Sequence, residues 1–489
     1  MTDKVKIRRL PTGVPGLDDL LGGGIPEFSF NLIAGSPGCG KTTLAHQLMF
    51  GLASPERPAL YFTVLGEPPL KMLRYQQQFA FFDIERINSQ VSFVNLAEEA
   101  MSGKFEAVLA RIVSEVEAFS PGLVFVDSFR SVNEVAKDNA KQTSSLQQLV
   151  QKLGMRMTGW QATTFLIGEY SLAESETNPV FTVADGLLWL SQSVHRNSMV
   201  RKLQVMKMRG QAQIPGLHTF RISEDGVRVF PRAILGSEPT DTPAGDKRLS
   251  MGVPLLDEML GGGLPSGYSL LIAGPAGSGK TILSTNFLTE GARVGENGVI
   301  ASFEKRPRQS HTRKLDELVE AGQLAIIDTR ALDLSIDETL HELTVQIERL
   351  GAKRVVIDSL SGFELALAPT FREDFRESLY RMVAVLTGMG VTVLMTTELE
   401  DRYTDLRFSP YGAAFLTDAI IVQRYVEVES RLERLLAVVK LRASVHCKEL
   451  RRFDIDADGI RIGDALPEYE GLLSGQPKRV QWVERHDGS

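Results

Sequence analysis

Two short glycine-rich segments contain the residues best suited to bind a phosphate group. They read GSPGCGKT at Gly35–Thr42 and GPAGSGKT at Gly274–Thr281, and both fit the pattern G-x-x-x-x-G-K-[ST]. The glycines let successive backbone N–H groups point at one anion, and a following helix adds its positive N-terminal end. Each segment follows an apolar run typical of a strand, so the sequence predicts two strand–loop–helix phosphate sites.

The last two residues of each segment are predicted to bind phosphate and a metal ion. Lys41 and Lys280 would neutralise the β- and γ-phosphates of ATP, and Thr42 and Thr281 would ligate Mg²⁺. Within the first loop, Cys39 is expected to contribute its backbone, with redox control through its thiol as the alternative. The predicted nucleotide-binding loop residues are Ser36, Pro37, Gly38, Cys39, Gly40, Lys41, Thr42 and Thr43, and Pro275, Ala276, Gly277, Ser278, Gly279, Lys280, Thr281 and Ile282.

Carboxylates at strand ends are the next candidates. LVFVDS and RVVIDS place Asp127 and Asp358 directly after apolar runs, where a phosphate-loop enzyme needs a carboxylate for its metal ion. Such an aspartate could instead cap the next helix, but two Asp-Ser pairs at matching points favour the metal role. Glu169 in LIGEY and Glu398 in MTTEL also correspond, and they could polarise water or sense the γ-phosphate.

The water-activating base differs between the two halves of the chain. VIASFEKRP presents Glu304 just beyond a strand, where a catalytic base is expected. The corresponding LYFTVLGEP has Leu65 and Gly66 at that point, and Glu67 comes too late in register. Glu304 is therefore the stronger catalytic candidate and Glu67 the weaker one.

A basic pair recurs near the end of each half. Lys207 and Arg209, and then Lys440 and Arg442, alternate along predicted edge strands. In isolation each pair would be a solvated strand edge. Beside a phosphate loop, the pairs suggest cations that reach the ATP of a neighbouring subunit.

An internal repeat organises the elements that must position these residues. RLPTGVPGLDDLLGGGIP begins at Arg9 and RLSMGVPLLDEMLGGGLP begins at Arg248, 239 positions apart, and the same offset relates the two phosphate loops. The sequence predicts a first domain at 1–235, a Gly/Pro-rich linker at 236–246 and a second domain at 247–489. Short apolar runs alternate with amphipathic stretches, which indicates an α/β fold: a mostly parallel sheet flanked by helices, with antiparallel hairpins at its edge.

Composition narrows the classes of protein. The chain has 489 residues, 43% of them hydrophobic, and a formal net charge of -7, which argues against a nucleic-acid-binding protein. Its two cysteines form no disulfide framework, and no apolar stretch has the length of a membrane span or a signal peptide. We therefore expect a cytoplasmic protein with no membrane association.

Together these motifs give the chain a specific resemblance over nearly its whole length. It resembles the KaiC branch of the RecA/RadA superfamily in its GVPGLDDLLGGGIP entry motif, its phosphate loops, its Asp-Ser strand ends, its Leu416–Arg442 segment and its Tyr469–Arg479 closing motif. The resemblance implies two tandem RecA-like domains. It also implies a double-ring homohexamer, ATP with Mg²⁺ between adjacent subunits, slow ATP hydrolysis and, in clock members, serine/threonine autophosphorylation.

Two departures from the family pattern matter. The usual pair of glutamates is replaced by Leu65-Gly66 in the first half and by Glu304-Lys305 in the second. The adjacent Ser-Thr phosphoacceptor pair falls on Ala414-Phe415, so that phosphorylation cycle cannot use those residues. Other hydroxyls of the same segment are the remaining candidate acceptors, namely Thr404, Ser409 and Thr417.

The leading hypothesis is a hexameric ATPase that acts as a signalling or timing scaffold with an unidentified protein partner. Hydrolysis would occur mainly in the second domain, and ATP in the first would hold subunits together. The alternatives are a serine/threonine autokinase, a DNA-dependent RecA-like ATPase, and a scaffold that binds ATP but barely hydrolyses it.

Overall fold

The computed structural model describes residues 7–64, 69–101, 105–129, 155–156, 159–195, 198–233, 247–303, 313–328, 334–372, 374–399, 416–456, 459–472 and 477–479. The chain divides into two compact units, Met1–Ile234 and Leu235–Ser489. The linker predicted at 236–246 lies outside the described residues.

The first unit alternates strands and helices along most of its length. Its strands are β1 (Arg9–Leu10), β2 (Ile25–Pro26), β3 (Phe30–Gly35), β4 (Ala59–Thr63), β5 (Val91–Asn95), β6 (Leu123–Asp127), β7 (Thr163–Glu169), β8 (Gly186–His195), β9 (Ser198–Met208), β10 (His218–Ser223) and β11 (Gly226–Phe230). Its α-helices are Leu17–Leu20, Lys41–Leu52, Pro69–Gln76, Ala97–Met101, Phe105–Phe119 and Pro179–Val183, with 3₁₀ turns at Ile84–Arg86 and Leu172–Ser175.

The second unit repeats this succession. Its strands are β12 (Arg248–Leu249), β13 (Leu264–Pro265), β14 (Ser269–Gly274), β15 (Gly298–Ser302), β16 (Leu324–Asp328), β17 (Arg354–Asp358), β18 (Thr392–Glu398), β19 (Ala419–Val428), β20 (Arg431–Leu441), β21 (Arg451–Asp456), β22 (Gly459–Ala465), β23 (Tyr469–Glu470) and β24 (Lys478–Arg479). Its α-helices are Pro254–Met259, Lys280–Arg293, Arg313–Glu320, Ile336–Leu350, Leu360–Ala366, Pro369–Arg372 and Phe375–Gly388.

Each unit is built on a nine-stranded sheet with the same strand order. The first sheet runs β11-β10-β9-β8-β3-β7-β6-β4-β5, and the second runs β22-β21-β20-β19-β14-β18-β17-β15-β16. Six strands in each are parallel, and the last three, β9 to β11 and β20 to β22, pair antiparallel. The prediction of mostly parallel sheets with antiparallel edge hairpins is confirmed.

Alternation along the central strands divides the core of the first unit between the two faces of its sheet. Ile33 and Phe125 pack in one apolar cluster with residues of the Lys41–Leu52 helix. Leu32 and Val124, their neighbours in sequence, pack in the other with residues of the Phe105–Phe119 helix. Successive side chains of a strand point to opposite faces, so a sheet covered by helices on both sides needs apolar residues throughout.

A buried ion pair supports the second unit at the start of β17. Arg354 is only 1% exposed, and its guanidinium donates to Oε2 of Glu296 over 2.8 and 2.9 Å. It also donates to the carbonyls of Ser250 and Phe287. Leu123 occupies the equivalent position of β6 in the first unit, because each strand begins four residues before its terminal aspartate.

Among the residues that the structure describes, no helix combines the length and the apolar character needed to cross a membrane.

Candidate functional site

The two predicted phosphate loops connect the central strand of each sheet to a helix. The first lies between β3 and the Lys41–Leu52 helix, and the second between β14 and the Lys280–Arg293 helix. Gly40 and Gly279 precede these helices with φ of 105° and 98°, in the left-handed region that favours glycine. The strand–loop–helix arrangement expected of a phosphate site is therefore present in both units, with the helix N-terminus at the loop.

Both loop lysines fold back over their own loops. The Lys41 ammonium donates to the carbonyl of Ser36 over 2.8 Å, and that of Lys280 donates to the carbonyls of Gly274 and Pro275 at the same distance. Lys41 is only 7% exposed. A cation at this point can neutralise an anion held by the loop N–H groups.

In the first unit the loop threonine is joined to the predicted metal-binding aspartate. Thr42 Oγ1 donates to Asp127 Oδ2 over 2.8 Å, and the Tyr61 hydroxyl donates to the same oxygen over 2.9 Å. Burial raises the pKa of Asp127, and these two hydrogen bonds oppose the shift. Burial and the nearby carboxylate raise the pKa of the Tyr61 phenol well above its usual value, so the phenol remains a donor.

A buried histidine lies behind this tyrosine. The rings of His46 and Tyr61 stack with centroids 4.6 Å apart, and His46 is 1% exposed. Burial lowers the pKa of His46 to about 3, although the neighbouring side chain of Gln76 opposes the shift. The imidazole is therefore neutral at physiological pH. The corresponding helix position in the second unit holds Thr285.

In the second unit the predicted residues line one cavity of about 330 Å³. Asp358 is only 4% exposed, and its Oδ1 accepts a hydrogen bond from Thr396 Oγ1 on the neighbouring strand β18. The structure thus brings together the loop, its lysine and threonine, and the strand-end aspartate. The residues that line the cavity are Ala276, Gly277, Gly279, Lys280, Thr281, Ile282, Asp358, Ser359 and Glu398.

The loops differ in the buried residue before the last glycine and in the strand residue next to it. Cys39 is fully buried, and burial raises the pKa of its thiol, which argues against a reactive thiolate and against the redox alternative. At the same loop position, Ser278 is 1% exposed and donates to Gln423 Oε1 over 2.9 Å. The register of β3 with β8, and of β14 with β19, places Leu190 where the second unit has Gln423.

The remaining loop residues of the first unit lie around its predicted phosphate site. Pro37 contributes a carbonyl that accepts from Gln192 on β8 over 3.2 Å. In the first unit Gly38 has a φ of 71°, and Thr43 lies in the first turn of the helix. These positions are compatible with the predicted phosphate cradle and do not test it.

The two strand-end glutamates lie at the predicted sites. Glu169 Oε1 is 3.8 Å from the Lys41 ammonium, and Glu398 lines the cavity of the second unit. Their roles as water-polarising or sensing residues stay predictions.

The two basic pairs contact their own unit. Lys207 donates to the carbonyl of Thr182 over 3.0 Å, and Arg209 lies one residue beyond β9 and pairs with Asp185 over 3.0 Å. Burial, together with the neighbouring arginine, lowers the pKa of Lys207.

The second pair repeats this arrangement. Lys440 donates to the carbonyl of Thr417, and Arg442 lies one residue beyond β20 and pairs with Asp418 over 3.3 Å. Burial and Arg442 lower the pKa of Lys440. The repeat of these contacts supports a common role for the pairs, and reach towards a neighbouring subunit stays a prediction.

Several predicted residues lie outside the described part of the chain. These are Glu304 and Glu67, the two candidate bases, and the candidate acceptors Thr404 and Ser409. Thr417 is described and is fully buried, which argues against it as an accessible phosphoacceptor in this conformation.

The donor set fits Mg²⁺. In the segments that the structure describes, no cluster of three or more His, Cys, Asp or Glu residues could hold a metal ion. Phosphate-loop sites instead use a hydroxyl, a carboxylate, water and the nucleotide's phosphates, and Thr42 with Asp127 provides the first two at 2.8 Å. Thr281 and Asp358 line one cavity in the second unit and provide the same pair of groups.

Sequence reasoning missed the partners of the aspartates. Tyr61 and Thr396 donate to the aspartates from neighbouring strands, and Gln423 similarly accepts from Ser278 in the second loop; each is the first polar residue after an apolar run. That interruption of an apolar run was the available signal.

The fold and the two loops define a tandem P-loop ATPase of the RecA type, with one phosphate loop and one strand-end aspartate in each unit. The family described as "ATPase: KaiC" matches residues 10–234 and 249–466. The chain therefore belongs to the KaiC ATPase family, as its motifs predicted.

Curated relatives align over almost the whole chain. The "Circadian clock oscillator protein KaiC" of Rippkaea orientalis is 27% identical, over 98% of this chain and 94% of its own length. "Circadian clock oscillator protein KaiC 1" of Synechocystis sp. has the same identity and coverage. The protein of Acaryochloris marina with the name "Circadian clock oscillator protein KaiC" is 25% identical over 99% of this chain.

Proposed function

We propose that the chain is a KaiC-like ATPase that binds Mg·ATP in both units, hydrolyses it mainly in the second, and acts as a nucleotide-driven signalling or timing scaffold. One observation carries the proposal: each unit brings a phosphate loop, its lysine and its threonine close to an aspartate at the end of the next strand but one in the sheet. The proposed domains are 1–235 and 247–489, and the family matches at 10–234 and 249–466 support these boundaries.

Binding would use this chain's own groups in distinct roles. The loop N–H groups and Lys41 or Lys280 would hold the phosphates, and Thr42 or Thr281 would hold the metal ion with its neighbouring aspartate. Bound Mg²⁺ supplies charge neutralisation at the β- and γ-phosphates. In the second unit Glu304 would orient and deprotonate water.

The division of labour rests on the missing base of the first unit. Leu65 and Gly66 cannot accept a proton, whereas Glu304 can. ATP in the first unit would then mainly stabilise the assembled state, since a ligand favours whichever state binds it. A homohexamer with ATP at its subunit interfaces is the assembly that the family resemblance implies.

The cellular setting and partners are part of the proposal. The two free cysteines, Cys39 and Cys447, fit a reducing cytoplasm. The names of the relatives refer to the circadian clock, and we propose a signalling protein as partner here. The replacement of the phosphoacceptor pair by Ala414-Phe415 argues that any timing role uses ATP turnover and not that phosphorylation cycle.

The test compares two lysine variants of the full chain. Lys280→Ala should remove most phosphate release, whereas Lys41→Ala should mainly weaken assembly in size-exclusion runs with ATP. Turnover is followed with γ-labelled ATP, and free phosphate and phosphoprotein are measured in the same sample. Lys314→Ala, at an exposed position of the Arg313–Glu320 helix, is the matched control.

Equal loss of turnover in Lys41→Ala and Lys280→Ala would contradict the division of labour. Label in the protein and not in free phosphate would identify an autokinase instead. Glu304→Gln should reproduce the turnover defect of Lys280→Ala while ATP still binds.

A further inference from the structure

Tyr61 lies where it can fix the predicted metal-binding aspartate of the first unit. It is on β4, beside β6, and its side chain is fully buried. Its hydroxyl and that of Thr42 both donate to Oδ2 of Asp127, over 2.9 and 2.8 Å. Two donors on one oxygen restrict rotation of the carboxylate about its Cβ–Cγ bond.

The phenol itself is held in place by aromatic packing. Its ring stacks on His46 and on Phe125, with centroid distances of 4.6 and 5.8 Å, and contacts Phe93 at 5.5 Å. A ring fixed on several sides keeps its hydroxyl at a constant place, so the hydrogen bond orients the carboxylate rather than following it.

In the second unit the aspartate also accepts a hydrogen bond from a hydroxyl, but the donor lies on the other flanking strand. Ile300 on β15 occupies the register position of Tyr61, because both lie opposite the residue two before the aspartate. The donor to Asp358 is instead Thr396 on β18, and the first unit has Ile167 in that register position. Each aspartate thus has a hydroxyl donor on one flanking strand and an isoleucine at the matching position of the other.

We propose that Tyr61 is a positioning residue for Asp127 at the first metal site, and that Thr396 has this role for Asp358 at the second. The inference rests on the proposed function, in which each aspartate helps hold Mg²⁺ with ATP. Removal of a residue that orients a metal ligand typically weakens metal affinity by about 10–100-fold.

The experiment measures binding rather than turnover. The full chain with Lys280→Ala leaves the first site as the main nucleotide site, and a fluorescent ATP analogue is titrated at increasing Mg²⁺. Adding Tyr61→Phe keeps the ring and removes the donor, so the Mg²⁺ concentration for half-maximal binding should rise about tenfold or more. Tyr75→Phe, at a 57% exposed tyrosine of the same unit, should leave it unchanged.

A second substitution tests whether a hydroxyl donor on the other flanking strand, β7, restores Mg²⁺-dependent binding. Ile167→Thr, added to Tyr61→Phe, transfers the arrangement of the second unit to the first and should bring the Mg²⁺ requirement most of the way back. The reciprocal test is Thr396→Val in a Lys41→Ala chain, which should raise the Mg²⁺ requirement of the second site in the same way.

The outcomes distinguish a failure of the positioning role from a failure of the proposed function. An unchanged Mg²⁺ requirement in Tyr61→Phe overturns the positioning role, while loss of binding on adding Lys41→Ala to the same chain leaves the proposed function standing. No Mg²⁺-dependent binding in the Lys280→Ala parent overturns both. If Tyr61→Phe fails to fold by circular dichroism, Thr396→Val decides, and an unchanged requirement there overturns the inference.

Discussion

Behind the first phosphate loop lie Cys39 and Leu190, and behind the second lie Ser278 and Gln423 joined by a hydrogen bond. The backbones are alike, since the glycine before each helix has a φ near 100° in both loops. The same geometry is therefore supported by apolar packing in one unit and by a polar contact in the other. The two units keep the loop glycines, the lysine and the threonine, and differ in the residues that support them.

The largest effect is expected for the buried ion pair at the start of β17 in the second unit, where the first unit has Leu123. Arg354→Leu introduces the residue type that the first unit has at Leu123 and removes one of two cationic partners of Glu296, which keeps Lys247 at 2.7 Å. We expect the free energy of unfolding of the second unit to fall by about 3 kcal/mol, because Glu296 keeps only Lys247 and the carbonyls of Ser250 and Phe287 lose their donor. Denaturant unfolding of the full chain, followed by circular dichroism, measures the effect.

An exposed ion pair provides the control for this substitution. Arg313 pairs with Glu317 on a helix surface, and its side chain is 92% exposed. Arg313→Ala should therefore change the free energy of unfolding by no more than about 0.5 kcal/mol. Equal effects of the two arginine substitutions would show that the buried pair does not support the second unit.

The contact behind the second loop should have an intermediate effect. Ser278→Ala leaves Oε1 of Gln423 buried without its donor, and it should cost about 1–3 kcal/mol of unfolding free energy. The double variant Ser278→Cys with Gln423→Leu copies the first unit, and it should recover most of that loss because both polar partners are removed together. A double variant less stable than Ser278→Ala would contradict the equivalence of the two supports.

The smallest expected effect is a pH dependence of the first unit's free energy of unfolding, which comes from His46. His46 has a pKa of about 3 in the folded chain and 6.5 as its ordinary value, so below 6.5 the unfolded state binds a proton that the folded state does not. The stability of the first unit should therefore fall with falling pH, by about 1 kcal/mol between about pH 7 and about pH 5.5 from this group.

His46→Phe tests this prediction, because it keeps an aromatic ring against Tyr61 and removes the titrating group. The variant should lose less stability than the parent chain over the same pH interval in denaturant unfolding. His446, which is partly buried and lies in the second unit, offers a control, and His446→Phe should keep the pH dependence of the first unit. Identical pH dependence in His46→Phe and the parent would show that His46 does not contribute.

The local features were predictable from the sequence because they depend on neighbours in the chain. The strands ending at Asp127 and Asp358, and the helices beginning at Lys41 and Lys280, occur where the motifs indicated. The hydroxyl partners of the aspartates were not predicted. Tyr61 and Thr396 reach them from different neighbouring strands, and strand order is a tertiary property that spacing along the chain does not encode.

The exchange of donors around the two aspartates has a consequence for how the repeat diverged. Converting one arrangement into the other requires a change on each flanking strand. Either substitution alone would leave the aspartate with no donor on its flanking strands, or would place two donor side chains beside it in a close-packed interior. One substitution therefore does not convert the arrangement of one unit into that of the other, which would keep the two sites distinct after a duplication.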